Sequence, residues 1–193
     1  TMEPILDWEQ RYKNATTAWE RDHLNPGFNE WRPQFSQSPG HVILPGCGRS
    51  AEVLAFAELG WQVTAIDLAE TAITYQRDAL QKAGFQGDVI ESNMFLWQPQ
   101  TPVDLVYEQT CLCALHPDQW VAYEQQIHRW LKPGGQLAAL FMQTDGDGGP
   151  PFHCGIGAMQ TLFPSARWRW GVQSFRAEHP LGVHERGYLL TRL

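Results

Sequence analysis

At 193 residues the chain is long enough to bury a full core and reads most simply as one domain. Its 43% hydrophobic and 18% charged residues suit a folded globular protein and exclude a disordered one. A net charge of −7 at pH 7 argues against a broad basic face for nucleic acid, and no apolar run approaches the ~20 residues of a bilayer span.

Residues 4–38 contain no clear strand and are aromatic and polar, with Trp8, Tyr12, Trp19, Phe28 and Trp31, and Gly40 closes the segment 1–40. Asn25 before Pro26 predicts a helix start, the Asn capping and the Pro at the first helical position. This segment is expected to form a helical cap over a core of residues 41–193.

The core opens with an apolar run at 42–44 that breaks at Pro45, passes Gly46 and Gly48, and becomes helical over 50–59, with Gly60 as the stop. A second strand is predicted over 61–66, a helix over 71–83 ended by Gly84, and a short strand over 88–91. A fourth strand follows at 103–107. Pro117 opens a helix with the stripe Trp120, Tyr123, Ile127, Trp130 and Leu131, stopped by Pro133-Gly-Gly135, and a fifth strand runs over 137–142.

After residue 143 a loop rich in Gly and Pro leads to a short helix over 156–163. Two late runs, 168–175 and 186–193, suggest an antiparallel pair at one sheet edge. Strand–helix alternation of this kind predicts an α/β fold, a mostly parallel sheet with helices on both faces and right-handed crossovers.

The turn at Gly46 and Gly48 carries the functional signal. Glycines allow unusual dihedrals and let a ligand lie against bare backbone, and the free N–H groups of the following helix face that ligand. At the end of the next strand stands Asp67, which can accept from both hydroxyls of a ribose. A nucleoside cofactor follows.

Gly46-x-Gly48-x-x-Ala51 fits the dinucleotide fingerprint, although a glycine turn can also serve helix–strand packing alone. Pro45 and the late antiparallel pair point away from NAD. They suit the seven-stranded Rossmann-like sheet of class I S-adenosylmethionine (SAM) methyltransferases.

Several segments carry a closer likeness. They are Trp8-Glu-Gln-Arg-Tyr12 with Thr17-Ala-Trp19, Leu44-Pro-Gly-Cys-Gly48, and Gly60-x-x-Val63-x-x-Ile66-Asp67. Val103-Asp-Leu-Val-Tyr-Glu-Gln-Thr110 with Cys113-Ala-Leu and the loop Gly148-Gly-Pro-Pro-Phe152 complete the set. In these the chain resembles the thiopurine methyltransferase superfamily, including its thiol/halide branch.

The resemblance implies that Trp8, Tyr12 and Trp19 close over SAM, Gly46 and Gly48 pass beside its methionine part, and Asp67 binds the ribose. Asn93 would receive the adenine amino group, Met94 would pack on the adenine face, and Gln109 would stand at a contact position held by Arg or Tyr in relatives. Core packing remains the alternative for Tyr12 and Trp19.

Methyl transfer from a sulfonium needs chiefly alignment of nucleophile, methyl carbon and sulfur, and the thiolate is the reactive form of a thiol. Glu108 is the candidate charged group near the methyl, with a backbone-binding acid as the alternative. Phe152 and His153 end the Gly-Pro loop and are the candidate acceptor-side residues.

Cys111, Cys113 and His116 lack the spacing of a structural zinc site, so no metal is assigned. The expected protein is a cytoplasmic, monomeric, SAM-dependent methyltransferase acting on a small thiol, thiopurine, selenium or halide species. The alternatives are an NAD-dependent oxidoreductase and a SAM-binding sensor without catalysis.

Overall fold

The computed structural model describes residues 7–193. Its helices are α1 (Trp8–Lys13), α2 (Pro26–Gln37), α3 (Glu52–Glu58), α4 (Glu70–Lys82), α5 (Trp120–Trp130) and α6 (Ile156–Leu162). The strands are β1 (His41–Pro45), β2 (Gln62–Asp67), β3 (Asp88–Glu91), β4 (Val103–Gln109), β5 (Leu131–Gln143), β6 (Trp168–Glu178) and β7 (His184–Arg192). They form a seven-stranded sheet in the order β3-β2-β1-β4-β5-β7-β6. The first five run parallel, and β7 pairs antiparallel with both β5 and β6.

Alternating side chains of the strands feed two cores. On one face Val42, Leu44, Val63, Leu105 and Tyr107 meet Phe28, Trp31 and Phe35 of α2 and Phe56 of α3. Phe28 and Phe35 each lie 5.0 Å, ring to ring, from Phe56. Burying each such side chain stabilises by about 1.5–3 kcal/mol. This packing fixes α2, and with it the start of the aromatic cap, to the sheet. Asn25 caps α2 as expected, its side chain accepting from the Gly27 amide at 2.8 Å.

On the other face Ile43, Ile66, Val106, Leu137 and Phe141 meet the α5 stripe Tyr123, Ile127 and Trp130. The stripe ends one residue earlier than its sequence pattern, because Leu131 leaves the helix to pair with Val103. β5 therefore starts before the Pro133-Gly-Gly135 stop, and its register against β4 shifts between Val103 and Leu105 as that turn loops out. β6 and β7 also reach further than their apolar runs. Glu178 pairs with His184 at the hairpin end, so polar residues complete strands that hydrophobicity alone cuts short.

Candidate active site

The carboxyl ends of β1, β2 and β4 meet at one edge of the sheet, where ligands bind in open α/β folds. Beyond Pro45 the chain takes φ +57° at Gly46 and +53° at Gly48, a region where only glycine is unstrained. A Cβ on Gly46 would lie 2.9 Å from the Cys111 sulfur, and one on Gly48 would lie 3.0 Å from the Tyr12 hydroxyl.

Asp67 closes the turn from the next strand. Its Oδ2 accepts from the Gly48 amide at 2.8 Å and its Oδ1 from the Ala69 amide at 2.9 Å. Burial raises its pKa, opposed by those same bonds. A further backbone bond comes from Leu68, and the carboxylate keeps acceptor capacity for another donor.

Gln76 holds the turn from behind. Its amide donates to the carbonyls of Gly48 at 2.8 Å and Ser50 at 3.0 Å. The sequence reading missed this residue, although a signal existed: Gln76 lies on the apolar stripe of α4 between Ile73 and Leu80, where a buried amide needs partners.

The cap lies over this edge. Glu9 on α1 accepts from the Thr71 amide at 2.7 Å and its hydroxyl at 2.6 Å, tying α1 to the start of α4. Trp8 meets Trp19 edge-on at 5.5 Å, and Trp19 meets Tyr12 at 5.8 Å. Burial first, and the nearby Asp67 charge second, push the Tyr12 phenol well above its usual range, so it stays a neutral hydroxyl.

Met94 is buried with its sulfur 3.8 Å from that of Cys111, so Gly46, Cys111 and Met94 form one continuous floor. Asn93 is exposed, and its side-chain oxygen accepts from the Phe95 amide at 2.9 Å with one lone pair left over. Leu68, next after Asp67, is 59% exposed and was also missed. An apolar side chain is thus left uncovered beside Asp67.

Two residues at the end of β4 differ from expectation. Glu108 is 2% exposed. Its carboxylate accepts from the amides of Cys111 at 3.2 Å and Leu112 at 2.9 Å and from the Tyr123 hydroxyl at 2.5 Å. It therefore holds the turn after β4 and has no open approach to a transferred methyl. The physical reason is local: the next turn presents two free N–H groups directly above it.

Gln109 accepts from the Tyr107 hydroxyl at 2.8 Å and hydrogen-bonds Glu52, so its amide ties into the wall under the cap. Asn25 continues that wall, its amide donating to Glu52 at 2.6 Å and its side chain to Glu185 at 2.9 Å. Arg21 adds a 3.0 Å ion pair to the same Glu185 oxygen.

At the end of the Gly-Pro loop the Phe152 amide donates to the Cys113 carbonyl at 2.7 Å, and its ring meets His116 edge-on at 5.6 Å. His153 accepts through Nδ1 from the amides of Thr144 and Asp145, both at 3.1 Å, which assigns its proton to Nε2. The Gly-Pro loop is thereby fastened to the turn after β4. All four cysteines are buried with their thiols pushed up by burial, so they behave as small apolar groups and not as thiolate ligands.

The family model described as thiopurine S-methyltransferase matches residues 5–187. The chain belongs to that family. A probable thiol methyltransferase 2 of Arabidopsis thaliana is 29% identical over 153 residues, 77% of this chain and 67% of that one. A thiopurine S-methyltransferase of Pseudomonas putida is 26% identical over 189 residues, covering 87% and 85%.

Among solved structures, the Burkholderia thailandensis 1,6-didemethyltoxoflavin-N1-methyltransferase with bound S-adenosylhomocysteine superposes with a TM-score of 0.79 at 20% identity, over 100% of this chain and 93% of that one. This last likeness supports the fold. As a member of the thiopurine S-methyltransferase family the chain is a SAM-dependent methyltransferase.

The site fits that cofactor on its own geometry. The two glycines let Cys111 and Tyr12 pack against bare backbone at the turn, and the Asp67 carboxylate keeps acceptor capacity for a ribose hydroxyl. Met94 and Leu68 offer apolar faces for the base.

Proposed function

We propose that the chain transfers the methyl group of SAM to a small, soft nucleophile, a thiol or a related sulfur, selenium or halide species. When bound, SAM supplies a methyl group already activated on a positively charged sulfur. The protein then needs to align the acceptor and exclude water more than to create a nucleophile.

In this reading Asp67 accepts from the ribose hydroxyls, Gly46 and Gly48 give the methionine part bare backbone, and Met94 and Leu68 flank the adenine. The remaining amide capacity of Asn93 takes the adenine amino group. Trp8, Tyr12 and Trp19 cover the cofactor, while Phe152 and His153 border the acceptor.

The observation that carries this reading is the engagement of Glu108 with Tyr123 and the backbone amides of Cys111 and Leu112. Asp67 is likewise committed to backbone amides, and His153 turns its unprotonated nitrogen to the loop. With these three groups engaged, the favoured acceptor is one that arrives ionised or ionises readily near neutral pH. Thiols of lowered pKa and inorganic soft anions meet that condition; alcohols and most amides do not. The relatives, a probable thiol methyltransferase and a thiopurine S-methyltransferase, point the same way.

A methyl-transfer screen over thiols, thiopurines, thiocyanate, halides, selenium compounds, alcohols and amines tests this, read as S-adenosylhomocysteine formed. The expected result is turnover of a soft acceptor, with kcat/KM rising with pH along that acceptor's own ionisation. Preference for an oxygen or nitrogen acceptor, or a pH profile that stays fixed when the acceptor pKa changes, contradicts it.

A further inference from the structure

Arg49 directly follows the second glycine of the turn, where the glycine pattern itself asks for no cation. Its guanidinium forms a two-pronged ion pair with Glu20, Nε to Oε2 at 2.7 Å and Nη2 to Oε1 at 2.5 Å. The centre of the same guanidinium lies 4.9 Å from the centroid of the Tyr12 ring. Tyr12 leans on Trp19, and Trp19 on Trp8. One side chain of the cofactor turn thus reaches the whole aromatic cap through two direct contacts, an ion pair to the residue after Trp19 and a cation–π contact to Tyr12.

The side chains of Arg49 and Glu20 are 32% and 23% exposed. An ion pair in such a place adds little to global stability, so its consequence is geometric. The planar fork of arginine is what permits both contacts at once; a lysine ammonium has no flat face to lay on Tyr12 while gripping both carboxylate oxygens. The cap has a second tether, Glu9 to Thr71, at the start of α4. That tether fixes α1 beside Asp67, and the Arg21–Glu185 ion pair holds the chain just beyond Glu20 to β7, so Arg49 is what ties the stretch around Trp19 to the glycine turn itself. We infer that Arg49 is a positioning residue that draws the Tyr12–Trp19 part of the cap onto the glycine turn, coupling cap closure to retention of the cofactor.

The test uses the full chain and S-adenosylhomocysteine as the probe. Calorimetry is run on wild type, Arg49→Gln, Glu20→Gln, the double variant and Arg49→Lys, with tryptophan emission followed during the same titrations. Arg49→Gln, which loses both contacts, is expected to weaken binding about tenfold, Glu20→Gln, which loses only the ion pair, somewhat less, and the double variant no further than Arg49→Gln, since the ion pair is already gone. Arg49→Lys should recover only part of the affinity. The emission change on adding the probe should shrink in Arg49→Gln, while KM for the methyl acceptor at saturating SAM stays unchanged.

Binding by Arg49→Gln within about twofold of wild type, or full additivity of the two Gln substitutions, overturns the inference; additivity would mean that Arg49 acts on the cofactor without the cap. If Arg49→Gln fails to fold, Glu20→Gln alone decides: unchanged affinity and emission there refute the coupling.

Discussion

The hydroxyl of Tyr12 lies 3.0 Å from the point where a Cβ on Gly48 would stand, so the aromatic cap rests directly on the glycine turn. Any side chain at Gly48 meets both this contact and a left-handed backbone of φ +53°. Gly48→Ala should lower the unfolding free energy by about 1–2 kcal/mol, the usual cost of a non-glycine residue in that region. It should also weaken cofactor binding by displacing Tyr12. Adding Tyr12→Phe removes the steric partner but not the backbone strain, so the double variant should regain affinity without regaining stability. Urea denaturation and calorimetry read the two effects separately.

Thr110 carries the opposite defect. It is a β-branched residue at φ +53°, immediately beyond β4. Thr110→Gly relieves that strain, and after the extra chain entropy lost by glycine a gain of about 1 kcal/mol is expected. The urea midpoint should rise with the m-value unchanged. A fall in the midpoint would mean that the Thr110 hydroxyl, bonded to the Gln109 carbonyl at 2.8 Å, outweighs the backbone strain.

Two buried carboxyls give the pH dependence of stability its strongest falling component, offset in part below about pH 6.5 by His179, whose pKa burial lowers to about 4. Burial pushes Glu108 up to about 7 against its hydrogen bonds from Tyr123, Cys111 and Leu112. Burial likewise pushes Glu185 up to about 7 against Asn25 and Arg21, with Glu108 adding to the rise, and one Glu185 oxygen is buried without a partner. Both folded values exceed an unfolded glutamate near ~4.3, so the native state binds more protons than the unfolded chain between those limits.

Their stabilising contribution is therefore complete below about pH 4.3 and lost as pH rises through about 7, at up to ~1.4 kcal/mol per pH unit for each group. Unfolding free energy should decline from pH 5 to 8. Glu185→Gln, which keeps the acceptor for Arg21 and Asn25, should flatten part of that decline. A wild-type stability that rises across the same window would contradict these assignments.

Leu68 offers a test confined to the ligand. At 59% exposure it contributes little to the fold, so Leu68→Ser should leave the denaturation midpoint unchanged and weaken S-adenosylhomocysteine several-fold. Unaltered affinity would place the adenine elsewhere.

What was legible in the sequence was local. Gly46, Gly48 and Asp67 stand out because glycine punctuation and strand periodicity are written within a few residues of each other, and the fold keeps them together. Helix and strand order was readable for the same reason. The start of β5 was not, because Leu131 becomes a strand residue only through its partner Val103.

The role of Glu108 was hidden similarly. Its position at a strand end suits a catalytic acid and a backbone anchor equally, and the hydroxyl that decides between them belongs to Tyr123, 15 residues away on a helix. Arg49 reads as an ordinary polar residue until Glu20 and Tyr12 are brought beside it.

The most direct measurement of the central claim, that the glycine turn and Asp67 together hold an adenosine, is a calorimetric titration with S-adenosylhomocysteine and with NAD on wild type and Asp67→Ala. Removing a charged acceptor of hydrogen bonds costs about 1.5–3 kcal/mol for each bond lost, or roughly ten- to a hundredfold in affinity. The expected result is binding of S-adenosylhomocysteine but not NAD by wild type, with at least that loss in Asp67→Ala and a fold still intact by circular dichroism. Equal binding by wild type and Asp67→Ala, or binding of NAD alone, would contradict it.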